Sequence, residues 1–124
     1  MKLKNKVAIV TGGGKGIGEE ISSGLAKEGA KVVVADLDKE NSSNVVKEIV
    51  KNNGDAIYVE TDVSNEASVK NLISETINRF DQIDILINNA GIRHVKKLEN
   101  HDLSDWNDMI SVNLTGPYIC CQAV

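Results

Sequence analysis

Val7-Ala8-Ile9-Val10-Thr11-Gly12-Gly13-Gly14-Lys15-Gly16-Ile17-Gly18 is the stretch on which the fold turns. Four β-branched or small apolar residues read as a buried strand, and helical spacing starts at once after it: Ile17, Ile21, Leu25. Glycines between strand and helix let the backbone turn tightly and approach an anion without Cβ collisions. The helix N-terminus then offers unpaired N–H groups and the positive end of its dipole. The spacing is Gly12-x-x-x-Gly16-x-Gly18, not the G-x-G-x-x-G of the general dinucleotide fingerprint. Alone, such a loop is also compatible with a plain strand-to-helix turn.

Working outward, the period of hydrophobicity alternates along the chain. Further strand-like runs are Val32–Ala35, Ala56–Val59 and Ile83–Ile87. Helical spacing relates Val45, Val46, Ile49 and Val50, and then Val69, Leu72, Ile73, Ile77 and Phe80. Gly29 and Gly54 fall where left-handed caps would end the first two helices, and Asp38 and Ser64 where N-caps would start the second and third. Strands apolar along their whole length imply helices on both faces. The expectation is therefore an α/β, Rossmann-type parallel sheet with right-handed crossovers, its strands ordered 3-2-1-4. A fourth helical segment begins near Asp102, with Trp106, Leu103 and Ile110 expected to pack it. It is still running at Val124 with no cap after Pro117, so residues 1–124 are expected to be one dinucleotide-binding domain, truncated after four strands and incomplete at its C-terminus.

Asp36 closes the second strand, 24 residues after Gly12. In the 3-2-1-4 order its carboxylate stands beside the glycine loop, where an acidic residue accepts ribose hydroxyls; a simple turn-initiating Asp is the alternative. A carboxylate there repels a 2′-phosphate and favours NAD over NADP. Lys15 pulls the other way, while Leu37 offers no second cation. NAD is the expected cofactor, NADP the less favoured one.

Composition narrows the class further. The 124 residues, 41% hydrophobic and 26% charged, suffice for one domain core. Net charge is -4 with scattered basic residues, which argues against a nucleic-acid partner. No apolar run approaches membrane-spanning length, and Val7–Val10 is too short for a signal-peptide core after the basic start. The only cysteines, Cys120 and Cys121, are adjacent and cannot build a disulfide framework, so a cytoplasmic location is expected. Neither they nor His94 and His101 have zinc-site spacing, and no metal site is expected.

Three more pieces occur in order: Asp62-Val63 after the third strand, Asn88-Asn89-Ala90-Gly91 after the fourth, and Asn113 in the fourth helix. With Thr11–Gly18 they closely resemble the short-chain dehydrogenase/reductase family over essentially the whole chain. The resemblance implies that Gly12, Gly14, Lys15, Gly16, Ile17 and Gly18 cradle the pyrophosphate and that Asp36 and Leu37 border the adenosine ribose. It further implies Asp62 on the adenine amino group, backbone at Val63 on a ring nitrogen, and Asn89, Ala90 and Gly91 flooring the nicotinamide-side ribose. Asn88 and Thr11 would tie strand ends together. Asn113 would be a catalytic residue of a proton relay. Pro117, four residues later, lacks an N–H, so the Asn113 carbonyl loses its i+4 donor; a kink without chemistry is the other reading.

The family's catalytic serine and its Tyr-x-x-x-Lys have no counterpart here. Four residues after Tyr58 and Tyr118 stand Asp62 and Gln122, and Ser111 lies on the wrong element. The resemblance implies an oxidoreductase passing hydride between NAD and a small-molecule carbonyl or secondary alcohol, a homo-oligomer when complete, with this chain inactive alone. A non-catalytic nucleotide-binding module or half-gene is the alternative, and the reading frame beyond Val124 would separate the two. Arg93 and His94 follow the Asn-Asn-Ala-Gly turn in a loop that, by the resemblance, faces substrate; a solvated loop is expected there and a substrate contact is the alternative, while Lys96 and Lys97 are expected to be solvated loop.

Overall fold

The computed structural model describes residues 1–124. Four parallel strands, β1 (Val7–Thr11), β2 (Lys31–Asp36), β3 (Asp55–Glu60) and β4 (Ile85–Ile87), lie in the order β3-β2-β1-β4. Helices α1 (Gly16–Lys27), α2 (Lys39–Lys51) and α3 (Glu66–Phe80) connect them. After β4 come a short 3-10 turn (Leu98–Asn100), α4 (Leu103–Ile110), a π-helical turn (Ser111–Thr115) and α5 (Gly116–Ala123).

The strand residues sort by parity. Ala8, Val10, Val32, Val34 and Ala56 pack under α1 and α2 against Ala30, Val45 and Ile49. Val7, Ile9, Val33, Ala35 and Val59 face the other way, onto Leu72 and Phe80 of α3. Alternate side chains point to opposite faces, and both faces are covered, which is why these strands read as unbroken apolar runs. A third cluster, Val63, Val69 and Cys120, joins α3 to α5.

Helix boundaries hold with two one-residue corrections. Asp38 caps α2 through the Asn41 amide, and Gly29 adopts φ 94 after α1. The N-cap of α3 is Asn65, not Ser64, with its side chain accepting the Ser68 amide at 2.9 Å; Ser64 is held instead by Asp62. After α2 the left-handed residue is Asn53 at φ 66, not Gly54. Gly54 has a different requirement: a Cβ there would stand 2.6 Å from Ile49 Cγ2.

β4 begins two residues later than the apolar run. Asp84 occupies the entry, its Oδ2 accepting the Val7 amide at 2.8 Å while its own amide donates to the Val7 carbonyl at 2.9 Å. The fourth helix also differs. Its inward line is Asp105, Met109, Val112, Gly116 and Cys120, so Leu103 and Trp106 are 73% and 59% exposed instead of packing it. Pro117 cannot donate to residue 113, and the helix widens into its π turn around that position.

Candidate functional site

The carboxyl ends of all four strands open onto one groove of about 360 Å³. β1 brings Gly12 and Lys15 to it, β2 brings Asp36 and Leu37, the turn after β3 brings Asp62 and Val63, and the segment after β4 brings Asn89, Ala90 and Gly91. Nine of the fourteen residues singled out by sequence thus share a single wall. Gly16 and Ile17 form a neighbouring open rim at the start of α1, with Ile17 75% exposed despite its helical spacing.

At Gly12, Gly13, Gly14 and Gly18 the loop is shaped by contacts that leave no room for side chains, whereas Gly16 faces open space. Gly12 and Gly16 have φ 61 and 57. A Cβ on Gly18 would collide with the Gly12 carbonyl oxygen, so α1 starts directly against the loop. No side chain caps α1, and its first amides remain open toward the rim. A loop of this form accepts an anion by backbone donors alone.

Asp36 is more deeply built into the loop than its position alone implies. Oδ2 accepts the Gly14 amide and Oδ1 the Asp38 amide, each at 3.0 Å. The Gly14 amide is therefore engaged inside the chain, and Gly14 acts through Asp36. A carboxylate has about four acceptor positions, so each oxygen keeps capacity for a ribose hydroxyl. Beside it, the Asn41 backbone amide holds the Asp38 carboxyl below the usual carboxylate range. The Tyr58 hydroxyl donates to the Asp36 carbonyl at 3.1 Å, and burial pushes that phenol up.

Asp62 accepts the Ser64 amide and hydroxyl through Oδ1 alone, at 3.0 and 2.6 Å. Its second oxygen makes no bond within the chain. Val63 is buried against Gly116, where a Cβ would stand 2.7 Å from Val63 Cγ2.

Of the two residues expected to tie strand ends, Thr11 and Asn88, only the first does so. Thr11 does tie strand ends: Oγ1 donates to the Ile87 carbonyl at 3.3 Å and accepts the Asn89 and Ala90 amides at 3.0 Å. Its partner, however, is Asn89, whose Nδ2 donates to the Thr11 and Gly12 carbonyls at 3.2 and 3.1 Å. Asn88 points away, to Cys121 Sγ at 3.3 Å. Asn89 therefore fixes the loop as well as lining the groove, a duty that nothing distinguishes in an Asn-Asn pair read as sequence.

Asn113 lies apart from the groove, beside a second cavity of about 380 Å³ that also touches Gly91 and Pro117. Its side chain clamps the backbone of Ile92, accepting the amide and donating to the carbonyl, both at 2.8 Å. The loop beyond is not freely solvated. Lys96 Nζ stands 2.7 Å from Asp105 Oδ2, which holds that carboxyl below its usual range, and His94 Nε2 lies 4.0 and 3.7 Å from Asp105 and Asp108. Ile92 and Val112 also line the groove and went unnoticed, being ordinary apolar residues in the sequence.

A family model described as short chain dehydrogenase matches residues 6–124. The chain belongs to the short chain dehydrogenase family. It is 43% identical over 120 residues to an uncharacterized oxidoreductase of Thermotoga maritima, covering 97% of this chain and 47% of that protein. It is 42% identical to a 3-oxoacyl-[acyl-carrier-protein] reductase of Synechocystis sp., over 98% of this chain and 50% of the relative. A Burkholderia cenocepacia short chain dehydrogenase solved in complex with NADP superposes with TM-score 0.94 at 33% identity, covering 99% of this chain and 51% of that one. The chain thus spans about half the length of the curated relatives it matches. Like them it is of oxidoreductase lineage, with the four-stranded parallel Rossmann sheet of the family. No helix is long and apolar enough to cross a membrane.

Proposed function

We propose that this chain is the cofactor-binding part of an NAD-dependent oxidoreductase acting on a small-molecule carbonyl or secondary alcohol. The observation that carries the reading is the single groove uniting Gly12, Asp36, Asp62 and Asn89 at the ends of four strands. The residues fit a dinucleotide: the space beside Gly16, at the start of α1, is open to a pyrophosphate, Asp36 retains acceptors for a ribose diol, and Asp62 has a free oxygen for an adenine amino group. When bound, NAD supplies the hydride donor or acceptor. The protein's share is to orient it and to manage the proton.

That share is incomplete among these residues. Tyr58 has its hydroxyl engaged by the Asp36 carbonyl, and Tyr118 is exposed without a lysine partner. Asn113 positions Ile92 and the relay side of the site but cannot donate a first proton. The chain by itself is therefore inactive in this reading. Asp36 supports NAD over NADP, since a 2′-phosphate would meet a carboxylate; Lys15, unpaired in the same groove, is the counterweight. The free thiols of Cys120 and Cys121 support the cytoplasm, and the exposed Leu103, Trp106, Leu114 and Tyr118 support a homo-oligomer. No nucleic-acid or membrane partner forms part of the reading.

Fluorescence titration with NADH and NADPH tests it. NADH should bind more tightly, and NADH oxidation across a panel of carbonyl compounds should stay at background. Equal or tighter NADPH binding would overturn the cofactor assignment, and robust turnover by the 124 residues would overturn the incomplete centre.

A further inference from the structure

We propose that the cavity at the end of β4 receives a substrate bearing an oxyanion, a carboxylate or phosphate, and that Arg93 binds it. The inference rests on the adjoining groove being the dinucleotide site, and it adds the charge class of the molecule beside it.

The loop that carries Arg93 is fastened on both sides. Asn113 holds Ile92 by two 2.8 Å hydrogen bonds. Lys96 is held by Asp105, a buried residue that also completes the capping box of α4, while the Lys96 carbonyl lies 3.1 Å from His101 Nε2. Arg93 is therefore displayed from a braced backbone, and less ordering entropy remains to be lost on binding.

The basic residues of this loop divide sharply. Lys96 is paired with Asp105, and His94 turns its ring toward Asp105 and Asp108. Lys97 precedes the 3-10 turn and does not line the cavity. Arg93 does line it, and its side chain makes neither an ion pair nor a hydrogen bond within the chain. The other polar side chains on the wall are Asn88 and Asn113, so Arg93 supplies its only charge. On α4, Asp105 is engaged by Lys96, and Asp108 lies 3.7 Å from His94 Nε2.

Position supplies the link to chemistry. The cavity and the dinucleotide groove share Ala90, Gly91 and Ile92, so a molecule in one abuts a molecule in the other. The site is an open depression, so a small molecule seated against Ala90, Gly91 and Ile92 reaches it from solvent without a rearrangement of the chain. An unpaired guanidinium at such a mouth presents a planar fork of donors that matches a carboxylate or phosphate in two parallel hydrogen bonds. A neutral alcohol or carbonyl oxygen can accept one hydrogen bond from it, but offers neither the opposite charge nor the two-pronged match.

Calorimetric titration of this chain, with and without saturating NADH, tests the assignment. The carboxylate arm compares 3-hydroxybutyrate with its methyl ester, and the phosphate arm compares glycerol phosphate with glycerol. At least one anion should bind about tenfold or more tightly than its neutral counterpart, and the preference should shrink as salt is raised. Arg93→Met should abolish the preference, Arg93→Lys should keep part of it, and Lys97→Met should leave it unchanged. Arg93 is exposed, so circular dichroism of the variants should match the unmutated chain. No preference in either arm, or a preference surviving Arg93→Met, would overturn the proposal. NADH binding is read separately: its failure alongside an intact Arg93-dependent preference would strike the dinucleotide reading and leave the anion site standing.

Discussion

Because Asp36 accepts the Gly14 and Asp38 amides while facing the groove, its removal loosens the loop and, in the proposed function, deletes the ribose acceptor as well. Asp36→Ala is expected to weaken NADH binding about ten- to a hundredfold, the loss of a charge-assisted hydrogen bond of ~1.5–3 kcal/mol. It should also narrow the preference for NADH over NADPH, since the carboxylate that would meet the 2′-phosphate is gone and the Gly14 amide is freed as a donor; fluorescence titration with both nucleotides reads this, and an unchanged ratio of the two affinities would contradict it. The residue scale is also where sequence reading was least complete. Residue types and order locate Asp36, Asp62 and the glycines, because their chemistry is local. The clamp of Asn113 on Ile92, the Lys96–Asp105 pair and the tie of Asn89 to the end of β1 depend on partners 9 to 78 residues away, which no local pattern encodes.

At the scale of elements, periodicity found the four strands and α1 to α3 because each of them packs a regular apolar face, and it read α4, the π-helical turn and α5 as one continuous helix. It failed where burial and hydrophobicity part company. α4 turns Asp105 inward with its capping box and leaves Leu103 and Trp106 outside, so the apolar residues alone indicate the wrong face. α1 offers a paired test of what the glycines in one helix do. At Gly18 a methyl group would strike the Gly12 carbonyl, whereas at Gly24 nothing lies within 4 Å. Gly18→Ala should destabilise the fold by about 1–3 kcal/mol and impair NADH binding, as overpacking against backbone does. Gly24→Ala should stabilise it by about 0.5–1 kcal/mol through helix propensity. Urea unfolding of both variants checks this; similar shifts of the two midpoints would show that the loop yields to α1.

For the whole molecule, acid sensitivity follows from carboxylates that join distant parts. The Val7 amide lowers the Asp84 carboxyl most, and the Lys96 side chain does the same for Asp105. Folded values below the unfolded ones mean that the unfolded chain binds protons first on acidification. The stabilisation is complete above the unfolded carboxylate range and is lost as pH falls below about 4 through the folded values. Tm should therefore stay level from pH 7 to about 5 and drop below 4, with a shallower drop in Asp84→Asn. An unchanged acid slope in that variant would remove Asp84 from the account.

Asp84 and Thr11 pin the same two strands from opposite ends, and this has a consequence for the order of assembly. β1 meets β2 with partners 24 residues apart, but β4 with partners 77 residues apart. Closing the longer loop costs about 1 kcal/mol more in chain entropy, and only three residue pairs plus the two end fastenings compensate it. β4 should therefore dock after β1, β2 and β3 have joined. Thr11→Val, which cuts the distal fastening, should then speed unfolding in stopped-flow measurements while hardly changing the refolding rate, the kinetic mark of contacts made after the transition state. A slowed refolding arm would instead put the β1–β4 pairing in the folding nucleus.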